Sequence, residues 1–120
     1  MTNTKNSKGS RGKGRYSEEI VVAFLNKKGF QIIKKNYLTP VGEIDIIARY
    51  KGQTVFVEVK SAYSNDPIES VNQSKIKKIR STALYYMKEL GYEIDLRFDV
   101  ITVVFDEDGK VNIRHIEGAF

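Results

Sequence analysis

The stretch GEIDIIARYKGQTVFVEVKS, residues 42–61, contains two β-rich runs separated by a short polar segment with Lys51-Gly52 at its centre. Runs of β-branched and aromatic residues around a two-residue turn that contains glycine are typical of a β-hairpin. If Lys51 and Gly52 form the turn, Tyr50 faces Gln53, and this pair sets the register of both strands.

The same register predicts a cluster of charged side chains further from the turn. It places Asp45 opposite Glu58 and Glu43 opposite Lys60, and the alternation of side chains along a strand puts all four on one face. Two opposed carboxylates repel, and an uncompensated charge among apolar neighbours is costly. The sequence therefore predicts a bound cation between Asp45 and Glu58. Glu43 is expected to form an ion pair with Lys60 rather than to bind the metal.

The side chains available restrict the kind of metal site. The chain of 120 residues has no cysteine and a single histidine, His115, so thiolate sites and histidine-rich zinc sites are excluded. Oxygen ligands favour Mg²⁺ or Mn²⁺, and Mg²⁺ typically binds one or two carboxylates together with water and substrate phosphate. Asp45 and Glu58 fit that count, with the backbone carbonyl of Val59 as a further ligand. Lys60 lies where it can orient a water or stabilise charge on a phosphoryl group.

The net charge of +5 is concentrated at the N-terminus. Five of the 20 basic residues, Lys13 and Arg15 among them, lie in residues 1–17 without any acidic residue, so the rest balances 15 basic against 15 acidic residues. We expect a disordered basic arm over residues 1–15 and one domain over residues 16–120. The arm is suited either to contact a nucleic-acid backbone or only to aid solubility.

Periodicity and turn signals predict the order αβββαββ. The predicted elements are a helix over residues 16–29, a strand over 30–38, the hairpin, a helix from 68 to 90, and strands over 94–105 and 111–116. A hairpin joined to a strand–helix–strand unit indicates an α/β fold with a mixed central sheet flanked by helices.

Each predicted helix carries charged residues that can be explained either by structure or by function. Ser17 is expected as the N-cap of the first helix, where Glu18 either complements the positive end of the helix dipole or has a functional role. The second helix has a basic face that is either simply solvated or contacts phosphates. That face consists of Lys75, Lys77, Lys78 and Arg80.

The sequence lacks the motifs that several classes of protein require. There is no glycine-rich phosphate loop and no Ser/His/Asp set, and no apolar run approaches the ~18 residues of a membrane span. The N-terminus has no apolar core of a secretory signal, so we expect a soluble cytoplasmic protein without a membrane partner.

Asp45 followed by Glu58-Val59-Lys60 after a short hairpin resembles the PD-(D/E)xK nuclease superfamily. Within it the chain is most similar to the YraN-like family of uncharacterised bacterial proteins, which resembles archaeal Holliday-junction resolvases. The similarity extends over the first helix and four segments: GEIDIIA at 42–48, VFVEVKS at 55–61, RFDV at 97–100 and HIEGAF at 115–120.

This resemblance implies a restriction-endonuclease-like core and a metal-dependent endonuclease that acts on branched or structured DNA. It implies that Asp45 and Glu58 bind the divalent metal, that Lys60 is the catalytic lysine and that Glu18 is a supporting acid. A homodimer would suit a junction resolvase. Two positions depart from the family pattern, because Ser17 replaces a common glycine and Ala62 replaces a common arginine.

Two further residues and two rival functions complete the predictions. Asp99 is interpreted as a buried strand carboxylate satisfied by Arg97 or by backbone groups, with a catalytic role as the alternative, and His115 is interpreted as structural. One rival function is a nucleic-acid-binding protein that keeps the nuclease scaffold without cleavage. The other is an adaptor in a protein complex.

Overall fold

A computed structural model describes residues 16–120 of the chain. The predicted basic arm, with Lys13 and Arg15, lies outside the described residues. Helix α1 comprises residues 16–27 as described. The further elements are β1 (Gln31–Thr39), β2 (Gly42–Tyr50), β3 (Gln53–Tyr63), a 3-10 turn (Pro67–Ser70), α2 (Gln73–Leu90), β4 (Leu96–Phe105) and β5 (Val111–Ile116).

The five strands form one sheet in the order β1-β2-β3-β4-β5. Neighbouring strands are antiparallel except for β3 and β4, which are parallel and joined through the 3-10 turn and α2. A parallel pair needs such a crossover connection because its strands run in the same direction. The order αβββαββ and the mixed sheet confirm the predicted α/β class and the restriction-endonuclease-like core.

The β2–β3 turn has the geometry that its sequence predicts. Lys51 and Gly52 both have left-handed backbone angles, with φ of +51° and +82°. Positive φ at both central residues is the requirement of a type I′ turn, whose twist matches that of a hairpin. Tyr50 pairs with Gln53, which confirms the predicted register at this end of the hairpin.

The sheet has a hydrophobic core on each face. The core that includes α1 is built on Val21, Leu25 and Phe30 together with buried residues of β2, β3 and β4. The core that includes α2 is built on Ile79, Ala83 and Tyr86 with Ile44, Ile47, Phe56 and Phe98. Burial on both faces accounts for the nearly continuous apolar sequence of the central strands.

The tip of the β1–β2 hairpin lies directly against α2. A tight turn joins Thr39 to Gly42, and the Thr39 hydroxyl accepts hydrogen bonds from the backbone N–H groups of Val41 and Gly42. A Cβ atom at Gly42 would lie 2.6 Å from Oγ1 of Thr82, and Gly42 has φ of +156°. Glycine therefore allows the close approach of this hairpin to the helix.

The cap of the first helix and the start of the second differ from the prediction. Ser17 lies inside α1 and is buried, so it is not the N-cap. Helix α2 begins at Gln73 rather than at residue 68, because Asn72 caps it by accepting a hydrogen bond from the N–H of Lys75. The predicted stop is confirmed at Gly91, which has left-handed angles. Within residues 16–120, no helix combines the length and apolar character needed to cross a membrane.

Candidate functional site

Strands β2 and β3 separate immediately before the predicted carboxylate pair. Their ladder runs from Tyr50–Gln53 to Ile46–Val57. The next pair in that register, Asp45 with Glu58, is absent from the ladder among the described residues. Instead the Asp45 carboxylate accepts a hydrogen bond of 2.8 Å from the backbone N–H of Val59. We call this point, where β2 leaves β3, the fork.

The alternation of side chains changes phase at the fork. Ile46 and Ala48 pack into the core beside α1, whereas Ile44 and Ile47, three residues apart, both pack into the core beside α2. Strict alternation would place Ile44 on the same face as Ile46. The strand therefore turns at Asp45, which is why the prediction of one common face for the four charged residues does not hold.

Glu58 is buried at the fork, with 5% of its side chain exposed, and is held by two ammonium groups. Its Oε2 atom lies 3.6 Å from Nζ of Lys60 and 3.5 Å from Nζ of Lys75. The predicted ion pair of Glu43 with Lys60 is therefore replaced by one with Glu58. Glu43 lies opposite Leu38 in the β1–β2 ladder.

The electrostatics of Asp45 support the expected repulsion. Burial and the charge of Glu58 raise the pKa of the Asp45 carboxyl to about 8, against the lowering effect of the hydrogen bond from the Val59 N–H. The negative charges of Glu18 and Glu43 raise this pKa further. The Asp45 carboxyl therefore holds a proton more tightly than a free carboxyl does, and a positive charge beside it would relieve the same repulsion.

Glu18 is brought to this site from helix α1. Its charge acts on Asp45, although 27 positions of sequence separate the two residues. The structure thus gathers four of the predicted residues, namely Asp45, Glu58, Lys60 and Glu18. The role of Glu18 at this site stays a prediction.

The donor atoms at the fork suit Mg²⁺ or Mn²⁺. Among the described residues no group of three or more His, Cys, Asp or Glu side chains is arranged to hold a metal, so side chains alone do not complete a coordination shell. The Val59 N–H points towards β2, and a strand residue directs its carbonyl to the same side as its N–H. Two carboxylates and one carbonyl leave positions for water and phosphate, as Mg²⁺ prefers.

Two buried hydroxyl groups next to the predicted site residues were not anticipated. Within residues 16–120, Oγ of Ser17 and Oγ1 of Thr102 are buried side-chain atoms without a hydrogen-bond partner. Ser17 precedes Glu18, and Thr102 lies beside Lys60 in the parallel ladder. Buried hydroxyls normally have hydrogen-bond partners, so these two are unusual among the described residues. No sequence signal identifies Thr102, because its position depends on the β3–β4 register.

The predicted basic face of α2 is only partly at the site. Lys75 contacts Glu58, whereas Lys77 and Lys78 are exposed on α2 and are not among the ion-pair partners of Glu58 in the described part of the chain. Lys78 lies beside Gly42, the tip of the β1–β2 hairpin. Lys78 therefore lies beside the hairpin tip, and Lys77 is an exposed residue of the same helix.

Asp99 belongs to a separate network. It is fully buried and accepts hydrogen bonds from Nε and Nη2 of Arg97, from the backbone N–H of Gly118 and from the His115 ring. His115 also contacts Nζ of Lys28 at 2.8 Å. Burial would raise the pKa of Asp99, but the bonds from His115, Arg97 and Gly118 outweigh it and lower the pKa. The structural interpretation of Asp99 and His115 agrees with these contacts.

Several known proteins are similar to this sequence over most of its length. A UPF0102 protein of Thermodesulfovibrio yellowstonii is 43% identical over 110 residues, covering 89% of this chain and 94% of the relative. A UPF0102 protein of Thermotoga neapolitana is 41% identical over 105 residues, covering 87% and 94%. A third, from Clostridioides difficile, is 42% identical over 115 residues, covering 92% and 98%.

The structure is also similar to that of Pyrococcus furiosus SfsA in complex with Ca²⁺. The TM-score is 0.39 at 16% identity, over 90% of this chain and 63% of that one. The family model of the uncharacterised protein family UPF0102 matches residues 17–103, which include both sides of the fork. The predicted membership of an uncharacterised bacterial family is confirmed: the chain belongs to family UPF0102.

Proposed function

We propose that the protein is a metal-dependent nuclease that hydrolyses phosphodiester bonds in DNA, with the fork as its active site. The observation that carries this proposal is the convergence of Asp45, Glu58 and Lys60 where β2 leaves β3. A buried carboxylate pair beside an ammonium group is a costly arrangement in the absence of a ligand. A divalent metal would neutralise the two carboxylates, and a phosphate would pair with the ammonium group.

Asp45 and Glu58 would hold Mg²⁺ or Mn²⁺, with the Val59 carbonyl as a third protein donor. When bound, such a metal polarises a phosphoryl oxygen and lowers the pKa of a water molecule. The Val59 N–H fixes one oxygen of Asp45 at 2.8 Å, which orients the carboxylate for its role. Ligands oriented by a second hydrogen bond generally bind metal more tightly.

Lys60 would act on the substrate rather than on the metal. Its ammonium group is 3.6 Å from Glu58 and 26% of the side chain is exposed, so it lies at the boundary between the buried carboxylate and solvent. From there it can orient the attacking water and stabilise the negative charge that develops on the phosphorane. Glu18 adds negative charge beside Asp45 and serves as a supporting acid.

DNA is the substrate class that best fits the charges outside the fork. Lys75, Lys77 and Lys78 lie on the helix that flanks the fork, and Lys13 and Arg15 belong to the basic N-terminal sequence. Lysines on one side of an active site contact the phosphate backbone without reading sequence. Recognition by backbone contacts suits branched or structured DNA, for which we propose endonuclease activity, with a homodimer as the form that would engage two strands.

The test is a cleavage panel with junction, flap, single-stranded and duplex DNA in Mg²⁺ or Mn²⁺. We expect cleavage of at least one structured substrate by the wild type and none by Asp45→Asn, with both proteins folded by circular dichroism. Metal-independent, salt-sensitive binding without cleavage of any substrate would instead favour a nucleic-acid-binding protein. Equal cleavage by pure Asp45→Asn would refute the assignment of the site.

A further inference from the structure

The ammonium group of Lys75 occupies a place that its own helix does not favour. Lys75 is the third residue of α2, after the N-cap Asn72, and its N–H donates to the Asn72 side chain. The first turn of a helix carries partial positive charge and favours acidic rather than basic side chains. The first turn of α2 contains no acidic residue. The contact of Lys75 with Glu58, at 3.5 Å, compensates for this unfavourable position.

Lys75 and Lys60 share one carboxylate oxygen. Both ammonium groups lie within 4 Å of Oε2 of Glu58, so the buried charge is neutralised by more than one cation. A metal ion binds a carboxylate oxygen at roughly 2.0–2.1 Å in the case of Mg²⁺. A divalent ion at this oxygen would therefore stand beside two positive charges, and the repulsion requires that at least one of them moves.

The side chain that can move is Lys75. It is 41% exposed, whereas Lys60 is 26% exposed and extends from the strand that carries Glu58 itself. Lysine has a flexible four-carbon stem with three rotatable donors, so the partly exposed Lys75 side chain can turn away from Glu58. Once displaced, its ammonium group would be free to contact a phosphate of the substrate.

We propose that Lys75 acts as an internal counter-cation of Glu58, which a divalent metal displaces and which then contacts the substrate phosphate. This inference rests on the proposed nuclease function of the fork. It makes Lys75 a competitor of the metal in the free protein and a phosphate ligand in the complex with DNA. Its removal should therefore have opposite effects on metal affinity and on DNA cleavage.

The first test measures Mn²⁺ binding to the full-length protein without DNA, by isothermal titration calorimetry. We expect Lys75→Met to bind Mn²⁺ about threefold to fivefold more tightly than the wild type, the range that corresponds to a partly exposed ion pair. Lys88→Met is the matched control, because Lys88 is exposed near the other end of the same helix. It should change the affinity by less than about twofold, since solvent and salt screen a charge at that distance. Lys75→Arg should retain the affinity of the wild type.

The second test measures single-turnover cleavage of the DNA substrate at saturating Mn²⁺. Lys75→Met should cleave at least about tenfold more slowly than wild type, the loss associated with a charged hydrogen bond to phosphate. Lys75→Arg should recover most of the rate. A role limited to packing or helix stability would not tighten metal binding while it slows cleavage.

The outcomes separate this inference from the function on which it rests. Wild-type cleavage with unchanged Mn²⁺ affinity of Lys75→Met would overturn the role of Lys75 and leave the nuclease assignment intact. Tighter Mn²⁺ binding by Lys75→Met without any DNA cleavage by wild type would support the counter-cation and overturn the nuclease assignment. Absence of Mn²⁺ binding in both proteins would overturn both.

Discussion

The carboxylate of Asp45 accepts a hydrogen bond from the backbone N–H of Val59, across the gap where β2 leaves β3. In a continuous ladder a backbone carbonyl would accept that bond. The side chain therefore takes the place of the neighbouring strand, and in the proposed active site the same carboxylate would bind the metal.

Because the Asp45 carboxylate is partly buried near Glu58, we expect that removal of its negative charge stabilises the metal-free protein. Asp45→Asn retains an oxygen that can accept from Val59 but removes the repulsion by Glu58. We expect the metal-free variant to be more stable than the wild type at pH 8.5, on the order of 2 kcal/mol. Urea denaturation in the presence of EDTA measures the difference. A loss of stability would show that Asp45 is not repelled in the folded protein.

The stability of the protein should depend on pH through two carboxylates, those of Asp45 and Asp99. Because the pKa of Asp45 is raised in the folded state, the metal-free protein binds a proton that the unfolded chain has released, and stability falls as pH rises from about 4 towards 8. Asp99 has a lowered pKa, so its contribution is present above the ordinary carboxyl range and is lost as pH falls below it. Asp45→Asn should remove only the first dependence, as thermal melts across pH would show.

Lys60→Met should separate catalysis from metal binding. Loss of a group that stabilises developing charge typically lowers the rate by roughly 10²–10³-fold, and Lys60 contributes no metal-ligand atom. We therefore expect single-turnover cleavage to fall by this factor while calorimetry still detects Mn²⁺ binding. Lys88→Met serves as the control for the loss of one lysine. Undiminished cleavage by Lys60→Met would remove Lys60 from the catalytic group.

The close approach of Gly42 to α2 makes this glycine sensitive to substitution. A Cβ atom would lie 2.6 Å from Oγ1 of Thr82, which is fully buried and donates to the Lys78 carbonyl. Gly42→Ala should destabilise the protein by about 2–3 kcal/mol in urea denaturation. Gly109→Ala is the matched control, because Gly109 also has positive φ but open space around it. Addition of Thr82→Ala should recover part of the loss at Gly42.

The Asp99 network should contribute to stability without contributing to the site. Asp99→Asn presents amide hydrogens to Arg97 and His115 and leaves Arg97 without its buried partner, which typically costs about 3–5 kcal/mol. Glu117→Gln, at the exposed end of the network, should cost less than about 1 kcal/mol. Chemical denaturation tests both. Mn²⁺ affinity of the folded Asp99→Asn protein should match that of the wild type.

The part of the fold that local chemistry determines could be predicted from the sequence. Lys51-Gly52 specifies a type I′ turn, and that turn sets the register from Tyr50–Gln53 to Ile46–Val57. The end of the ladder could not be predicted in this way, since the phase change at Asp45 depends on contacts distant in sequence. The neighbouring strand β1 is also irregular at this level. Asn36, which lies between the residues that pair with Ile46 and Ile44, has a left-handed φ of +53°.

The same limit applies to the candidate site. Asp45, Glu58 and Lys60 belong to one hairpin, so their proximity follows from the turn. The contact of Lys75 with Glu58 depends instead on where the crossover places α2, and the position of Thr102 depends on the parallel pairing of β3 with β4. No local pattern contains that information, which comes only from the packed sheet.

The origin of both carboxylates in one hairpin has a consequence for the folding pathway. Asp45 and Glu58 meet as soon as the two-residue turn closes, an event of microseconds, whereas Lys75 arrives only when α2 docks. Repulsion between the carboxylates therefore acts early in folding, when Lys60 of the same hairpin is already beside Glu58 but the second cation, Lys75, is not. A divalent cation bound to the hairpin would accordingly accelerate folding more than it slows unfolding.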